Sequence, residues 1–144
     1  MLFRSGTYRN LHSPFAYISY LRRIADGRVV FVATTDTQAA SVVELRIDPR
    51  HIDKPLFFMD AELITGEDIP PSYISTPESF TFEHPTTGEP IHAVYYPPTN
   101  PEYSGGLPGE LPPVVVNVHG GPTYQTTQGL SWTTQLFTSR GFAW

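Results

Sequence analysis

Cysteine is absent, so the chain has neither a disulfide framework nor a thiolate nucleophile, and the redox compartment is not constrained. Charge is scarce as well. Asp, Glu, Lys and Arg make up 16% of the residues, with a net charge of −5 and no basic run, which argues against nucleic acid or an anionic membrane as partner. No apolar stretch is long enough to span a membrane, and Met1-Leu2-Phe3-Arg4 runs straight into polar residues, so no signal peptide is read. The compartment stays unassigned, with the cytoplasm favoured. His12, His51, His84 and His92 show neither His-x-x-x-His nor His-Glu-x-x-His spacing and read as surface or strand residues; no metal or cofactor is expected. What is abundant is turn chemistry: fifteen prolines and eleven glycines among aliphatic clusters point to many short strands and argue against disorder.

The organising stretch is Pro112 to Pro122, Pro-Pro-Val-Val-Val-Asn-Val-His-Gly-Gly-Pro. A short apolar run bounded by turn residues predicts a strand buried on both faces, with Val114, Val115, Val116 and Val118 inside. It ends in Gly120 and Gly121, where the backbone can take φ > 0 and approach a ligand. Residues 126–139 are compatible with a helix, which places the glycines in a strand-to-helix turn whose free N–H groups suit a developing negative charge. Leu130, Thr134 and Phe137, with Trp132 and Leu136, predict a broad apolar helix face toward a sheet. Arg140 in the last turn and Gly141 after it are stop signals. Gly141-Phe142-Ala143-Trp144 then begins a new apolar strand.

The first third reads as β structure. Ser13 to Arg22 alternates roughly, Asp26-Gly27 signals a hairpin, Arg28 to Thr34 is a strong β run, and Ser41 to Ile47 alternates Val42, Glu44 and Arg46 against Val43, Leu45 and Ile47. From 48 to 73 the pattern weakens. Pro49, Pro55, Pro70 and Pro71 punctuate it, with apolar patches at Leu56 to Met59 and at Leu63 and Ile64, and it reads as a connector. Ser75 to His84 predicts a strand with Phe80 and Phe82 on one face, Thr86 to Glu89 a turn, and Ile91 to Tyr96 a second strand. Pro97 to Pro113, with Ser104-Gly105-Gly106, predicts an exposed loop.

The strand running into His119-Gly120-Gly121-Pro122 resembles the oxyanion loop after the third strand of an α/β-hydrolase domain, in the Gly-Gly-Pro form of the prolyl oligopeptidase family. The likeness extends to its acylaminoacyl-peptidase and dipeptidyl-peptidase branches through Ser75 to Glu78, Phe80 to Phe82, Gly88 to Pro98 and Ser139 to Ala143. The resemblance implies an α/β fold: the N-terminal part of an α/β-hydrolase sheet, preceded by strands of a last β-propeller blade, both domains incomplete. The division implied is 1–60 for the end of the propeller, 61–76 for a connector and 77–144 for the start of the peptidase domain.

The site implied is the Gly121 backbone N–H as one oxyanion donor, with His119, Gly120 and Pro122 shaping the loop and Tyr124 beside a substrate cleft. Tyr95, Tyr96 and Tyr103 are weaker cleft candidates. The family's nucleophile sits on a Gly-x-Ser-x-Gly elbow, which this sequence lacks. Gly129-Leu130-Ser131-Trp132-Thr133 misses the second glycine and Phe137-Thr138-Ser139-Arg140-Gly141 the first. The implied protein is a serine peptidase of peptide or acyl-aminoacyl bonds whose Ser-Asp-His triad lies beyond Trp144, acting on a peptide or acylated peptide without a cofactor. A carboxylesterase or lipase, or a non-catalytic β-rich binding module, remains open, as do substrate preference and oligomeric state. An unpaired Val114–Val118 edge is expected to favour aggregation. The 144-residue chain alone is expected to be inactive. Serine-reagent-sensitive turnover of an aminoacyl chromogenic substrate by the pure chain contradicts that expectation.

Overall fold

The computed structural model describes residues 11–48, 50–51, 54–62, 69–103 and 106–144. Met1 to Arg4, Pro49, Leu63, Ile64, Ser104 and Gly105 lie outside them. Four strands form an antiparallel meander in sequential order: β1 (Tyr17–Ala25), β2 (Arg28–Thr34), β3 (Ser41–Arg46) and β4 (Leu56–Glu62). A second, two-stranded sheet pairs β5 (Glu78–Glu83) with β6 (Pro90–Tyr95), and α1 (Trp132–Thr138) follows near the C-terminus. The architecture is mixed α/β, with two antiparallel sheets and a short helix. Among the described residues no helix is long and apolar enough to cross a membrane.

Alternation decides the faces of the meander. Phe31, Ala33, Val43 and Leu45 point to one side and are buried, because Phe31 pairs with Val43 and Val29 with Leu45 across β2 and β3. Phe15 closes this core, edge-on to Phe31 at 5.7 Å and to Phe57 at 5.5 Å. It does so from outside the sheet, since β1 starts at Tyr17 and not at Ser13. Within β1 the alternation breaks where Tyr20 and Leu21 fit between the paired Ser19 and Arg22. Tyr20 takes a φ of 52° there, the sign of a bulge in an edge strand. β4 corrects the reading of Leu56 to Met59 as connector. These residues pair with Arg46 to Val43, and Phe57 packs against the core.

The opposite face of β3 carries an ionic cluster. The Glu44 side chain, 6% exposed, accepts hydrogen bonds from Arg28 on β2 and from Arg46, whose guanidinium lies 4.3 Å above the Phe58 ring.

In the second half, β5 and β6 form the expected hairpin, with Phe80 and Phe82 stacked at 5.8 Å on one exposed face. His84 shapes its turn: Nδ1 accepts the Thr86 and Thr87 N–H groups at 3.2 and 3.1 Å. β5 begins at Glu78, later than the predicted Ser75, because Ser75 is engaged elsewhere. Its N–H donates to Gln135 Oε1 at 2.8 Å, its carbonyl accepts from Gln135 Nε2 at 3.0 Å, and its Oγ donates to the Pro97 carbonyl at 2.6 Å.

The helix differs from the prediction in length and in face. It starts at Trp132, with Ser131 Oγ accepting the Thr134 N–H at 3.4 Å as an N-cap, so 126–131 are not helical. Its buried residues are Thr134, Gln135 and Thr138, whereas Leu136 is 50% exposed. The apolar stripe predicted from Trp132 and Leu136 thus faces outward, because the buried side must satisfy the Ser75 backbone. At the helix end the glycine stop follows expectation, whereas Arg140 lies past the last turn and reaches back to the Leu136 carbonyl at 2.9 Å. Gly141 adopts a φ of 88°, the Gly141 N–H bonds the Thr138 carbonyl at 3.2 Å and the Phe142 N–H the Phe137 carbonyl at 3.2 Å. Phe137 and Phe142 complete the motif edge to face at 5.7 Å.

After this stop the chain is extended, as predicted. Trp144 exchanges two backbone hydrogen bonds with Tyr96, at 2.9 and 3.0 Å, and Ala143 forms a parallel bridge with Val114. The parallel neighbour of the valine run therefore begins before Trp144. The valine run is a second correction: Val114 makes an isolated bridge and no strand forms over 115–118, where Val115 is half-buried and Val116 and Val118 are 75% and 82% exposed, beside a Val114 that is 59% exposed. A strand is buried on both faces only with a neighbour on each side and a layer over each face, and among the described residues Ala143 alone pairs with it. The 97–113 loop is exposed from 101 onward among its described residues, but its first residues are tied to α1. The Thr99 N–H donates to the Thr138 carbonyl and Asn100 Nδ2 to the Ser139 carbonyl, at 3.0 and 2.8 Å.

Arg46 first, and Arg28 after it, hold the Glu44 carboxyl at about 2, down from an ordinary 4.5. Because the folded value is the lower one, this contribution is complete above pH 4.5 and disappears as pH falls toward 2. Urea midpoints are expected to drop across that window, and Glu44→Gln to drop less steeply; equal slopes in both contradict the assignment.

Candidate functional site

The extended segment that carries the site makes a parallel bridge at Val114, with the Val115 N–H donating to the Ala143 carbonyl at 2.9 Å, and residues 116–119 have no further backbone pairing among the described residues. This single parallel bridge places the segment before the glycines beside the segment after α1, with the loop and helix between them in the chain. Gly121 lies in that loop with a φ of 76°, and nothing approaches within 4 Å of where a Cβ would stand. The glycine is required by backbone angle, since an L-residue pays about 1–2 kcal/mol there. Gly120 has no left-handed φ and also faces open space. Among the described residues the Gly121 N–H has no hydrogen-bond partner, and the whole stretch 116–126 is exposed.

His119 and Tyr124 flank the loop. Their ring centroids are 5.8 Å apart with planes tilted by 58°, and His119 Nδ1 lies 3.5 Å from its neighbour's carbonyl at Gly120, at the outer limit of a hydrogen bond. Pro122 follows the left-handed glycine in a turn. The structure thus brings His119, Gly120, Gly121, Pro122 and Tyr124 together in one exposed turn. Tyr124 also lines an open groove of about 550 Å³ along residues 123–128, with Ala16 and Tyr17 at the start of β1 on the other side. The other tyrosine candidates do not line it: Tyr95 ends β6, Tyr96 is buried, and Tyr103 lies in the 97–113 loop.

Residues 122–131 separate the glycines from α1, so the strand-to-helix turn predicted at Gly120-Gly121 is instead a long loop. Its far end is fixed by contacts that the sequence reading missed. Gln128 Nε2 donates to Ser79 Oγ at 2.6 Å, and the Leu130 N–H donates to the Thr35 carbonyl at 2.8 Å. One signal was available in the sequence. A glycine inside a stretch assigned to helix, Gly129, often marks a close approach and not a helical residue.

The chemical capacity of the turn is narrow. It presents a backbone N–H at a fixed angle to open space, the kind of donor that holds an oxyanion, and it brings no nucleophile beside it. Among the described residues no group of three or more His, Asp or Glu side chains is placed to hold a metal ion.

No family model and no curated protein matches the chain. Two solved structures do. A puromycin-hydrolysing peptidase from Mycobacterium tuberculosis is 32% identical with a TM-score of 0.73, the match covering 93% of this chain and 19% of that one. A puromycin hydrolase, solved as a serine-to-alanine mutant in complex with PGG, is 32% identical with a TM-score of 0.72 over 92% of this chain and 19% of its own.

Gly121→Ala is expected to destabilise the loop conformation by about 1–2 kcal/mol, while Gly120→Ala has a smaller effect. Backbone chemical shifts of residues 119–124 measure this, and equal perturbation by the two changes contradicts it. With a third of its residues identical over nearly its whole length, the chain is a structural homologue of the serine peptidases of the prolyl oligopeptidase family, spanning 19% of the matched proteins.

Proposed function

We propose that the chain supplies the oxyanion loop of a serine-type peptidase that cleaves peptide or acyl-aminoacyl bonds. The observation that carries this is the Gly121 N–H, set at a φ of 76° in an exposed turn after the bridged extended segment and left without a partner among the described residues. A preorganised donor of this kind stabilises the tetrahedral intermediate because its orientation is already set before charge develops. The second donor of such a hole is the N–H of the residue after the nucleophile, and the nucleophile, acid and base come from residues outside these 144.

The relatives support this reading. Both hydrolyse puromycin, one is a peptidase, and the other was solved with a serine replaced by alanine, which fits a serine nucleophile. The matched chains are about five times longer, since 19% of each is covered, which leaves room for the triad. In the same reading, residues 1–60 end a β-propeller, residues 61–76 connect, and 77–144 open the peptidase domain, with the last two residues of β4 falling past the first boundary.

His119 acts here as a shaping residue and not as the base. Its ring sits beside Tyr124 on the outside of the turn, with no carboxylate hydrogen-bonded to it among the described residues to orient it as a triad base.

In the full-length protein, Gly121→Ala is expected to lower kcat toward aminoacyl or peptidyl chromogenic substrates by about 10²–10³-fold with little change in KM, because the donor is turned away from the oxyanion. A variant with undiminished kcat contradicts the assignment.

A further inference from the structure

Within three residues, 128–130, the chain between the proposed oxyanion turn and α1 touches both sheets. Gln128 reaches Ser79 on β5, and the Leu130 N–H reaches the Thr35 carbonyl just past β2. Between these two bonds Gly129 lies against the end of β2. A Cβ at 129 falls 2.1 Å from Thr34 Oγ1, 3.2 Å from Thr34 Cβ and 3.6 Å from Tyr17 Cβ. Gly129 has no left-handed φ, so the missing side chain serves the close approach alone. The Thr34 hydroxyl is buried there with no hydrogen-bond partner among the described residues, so packing and not hydrogen bonding closes the junction around it.

The stretch between the turn and this junction is exposed up to Thr126. One end of the loop is fixed by the Val114–Ala143 bridge and the other by residues 128–130. A loop held at its two ends takes its shape from where those ends are placed.

We propose that residues 128–130 are a latch through which the four-stranded sheet sets the direction of the Gly121 N–H, with Gly129 as the positioning residue. The inference rests on the oxyanion reading and adds a cause for the loop's geometry that lies in the other sheet. A side chain at 129 lifts the loop off Thr34 and swings the N–H from the place where the carbonyl oxygen is held. Substrate contacts elsewhere are untouched. The effect therefore falls on kcat, since a displacement of about 1 Å at a reacting centre can cost about 10²-fold.

The test uses the full-length protein with an aminoacyl chromogenic substrate. Gly129→Ala is expected to lower kcat at least about tenfold with KM within about twofold. Adding Thr34→Ala removes the oxygen that the new methyl meets and is expected to return kcat to within about threefold of wild type. A loss that Thr34→Ala does not relieve, or a loss in KM alone, overturns the latch. Should G129A fail to fold, Gln128→Ala carries the test, since it deletes one exposed hydrogen bond: about threefold lower kcat at unchanged KM supports the latch, and unchanged kcat overturns it. Gly121→Ala is measured alongside. An impaired G121A beside an unaffected G129A removes the latch and leaves the oxyanion reading standing, whereas an undiminished G121A removes the oxyanion reading itself.

Discussion

The Gln135 carboxamide lies along the Ser75 peptide and satisfies both its N–H and its carbonyl, and the second half of the structure depends on that contact. A helix as short as α1 does not hold itself together in water. It is held by what it packs against, and here the buried face is polar: Gln135 and Thr138 are 5% and 0% exposed. Each of the two hydrogen bonds removes a buried group that otherwise costs about 1–3 kcal/mol unpaired, so the contact is specific in a way that a leucine at the same position is not. The carbonyls at the end of the helix are used similarly, by Thr99 and Asn100, which ties the long loop after β6 to the same short element.

From this helix the geometry passes to the turn in a few covalent steps. The left-handed Gly141 stops α1 and the Phe137–Phe142 contact fixes the exit, so that Ala143 arrives between Tyr96 and Val114. Ala143 then sets where the valine segment begins, and that segment leads to Gly121 in its open position. The meander enters the same chain of constraint from the other side. Its Glu44 cluster and its Phe31–Val43 core make it a stiff body, and the end of β2 is the part that touches the loop at Gly129. The proposed site is therefore framed by two sheets that share no strand, which is how a proline- and glycine-rich loop can keep one amide in one direction.

Exposure of Val114, Val116 and Val118 belongs to the same account. These side chains are apolar and stand in water, and a row of them beside unpaired backbone groups is a surface that favours association. The relatives, of which this chain covers 19%, have ample further polypeptide to lie against such a surface.

Much of this was written locally in the sequence. The Val-rich runs of β2 and β3, the hairpin turns at Asp26-Gly27 and Gly88, the left-handed Gly121 and the stop at Arg140-Gly141 each depend on neighbours a few positions away, so pattern and turn chemistry sufficed. Residues whose state depends on distant partners were not legible in that way. Leu56 to Met59 became β4 because β3 offered an edge, and no alternation announced it. Thr126 to Ser131 are compatible with a helix, but Thr34, Thr35 and Ser79 hold that stretch in another shape. Gln135 went inside and Leu136 outside because Ser75, far away in sequence, needed two hydrogen bonds. The sequence alone therefore determined the strands that alternation and turn chemistry mark, β2, β3 and the β5–β6 hairpin, and where the backbone turns left-handed, since those are short-range steric choices. The tertiary structure decided which faces are buried and where the helix begins, since those follow from hydrogen bonds and contacts between residues far apart in the chain.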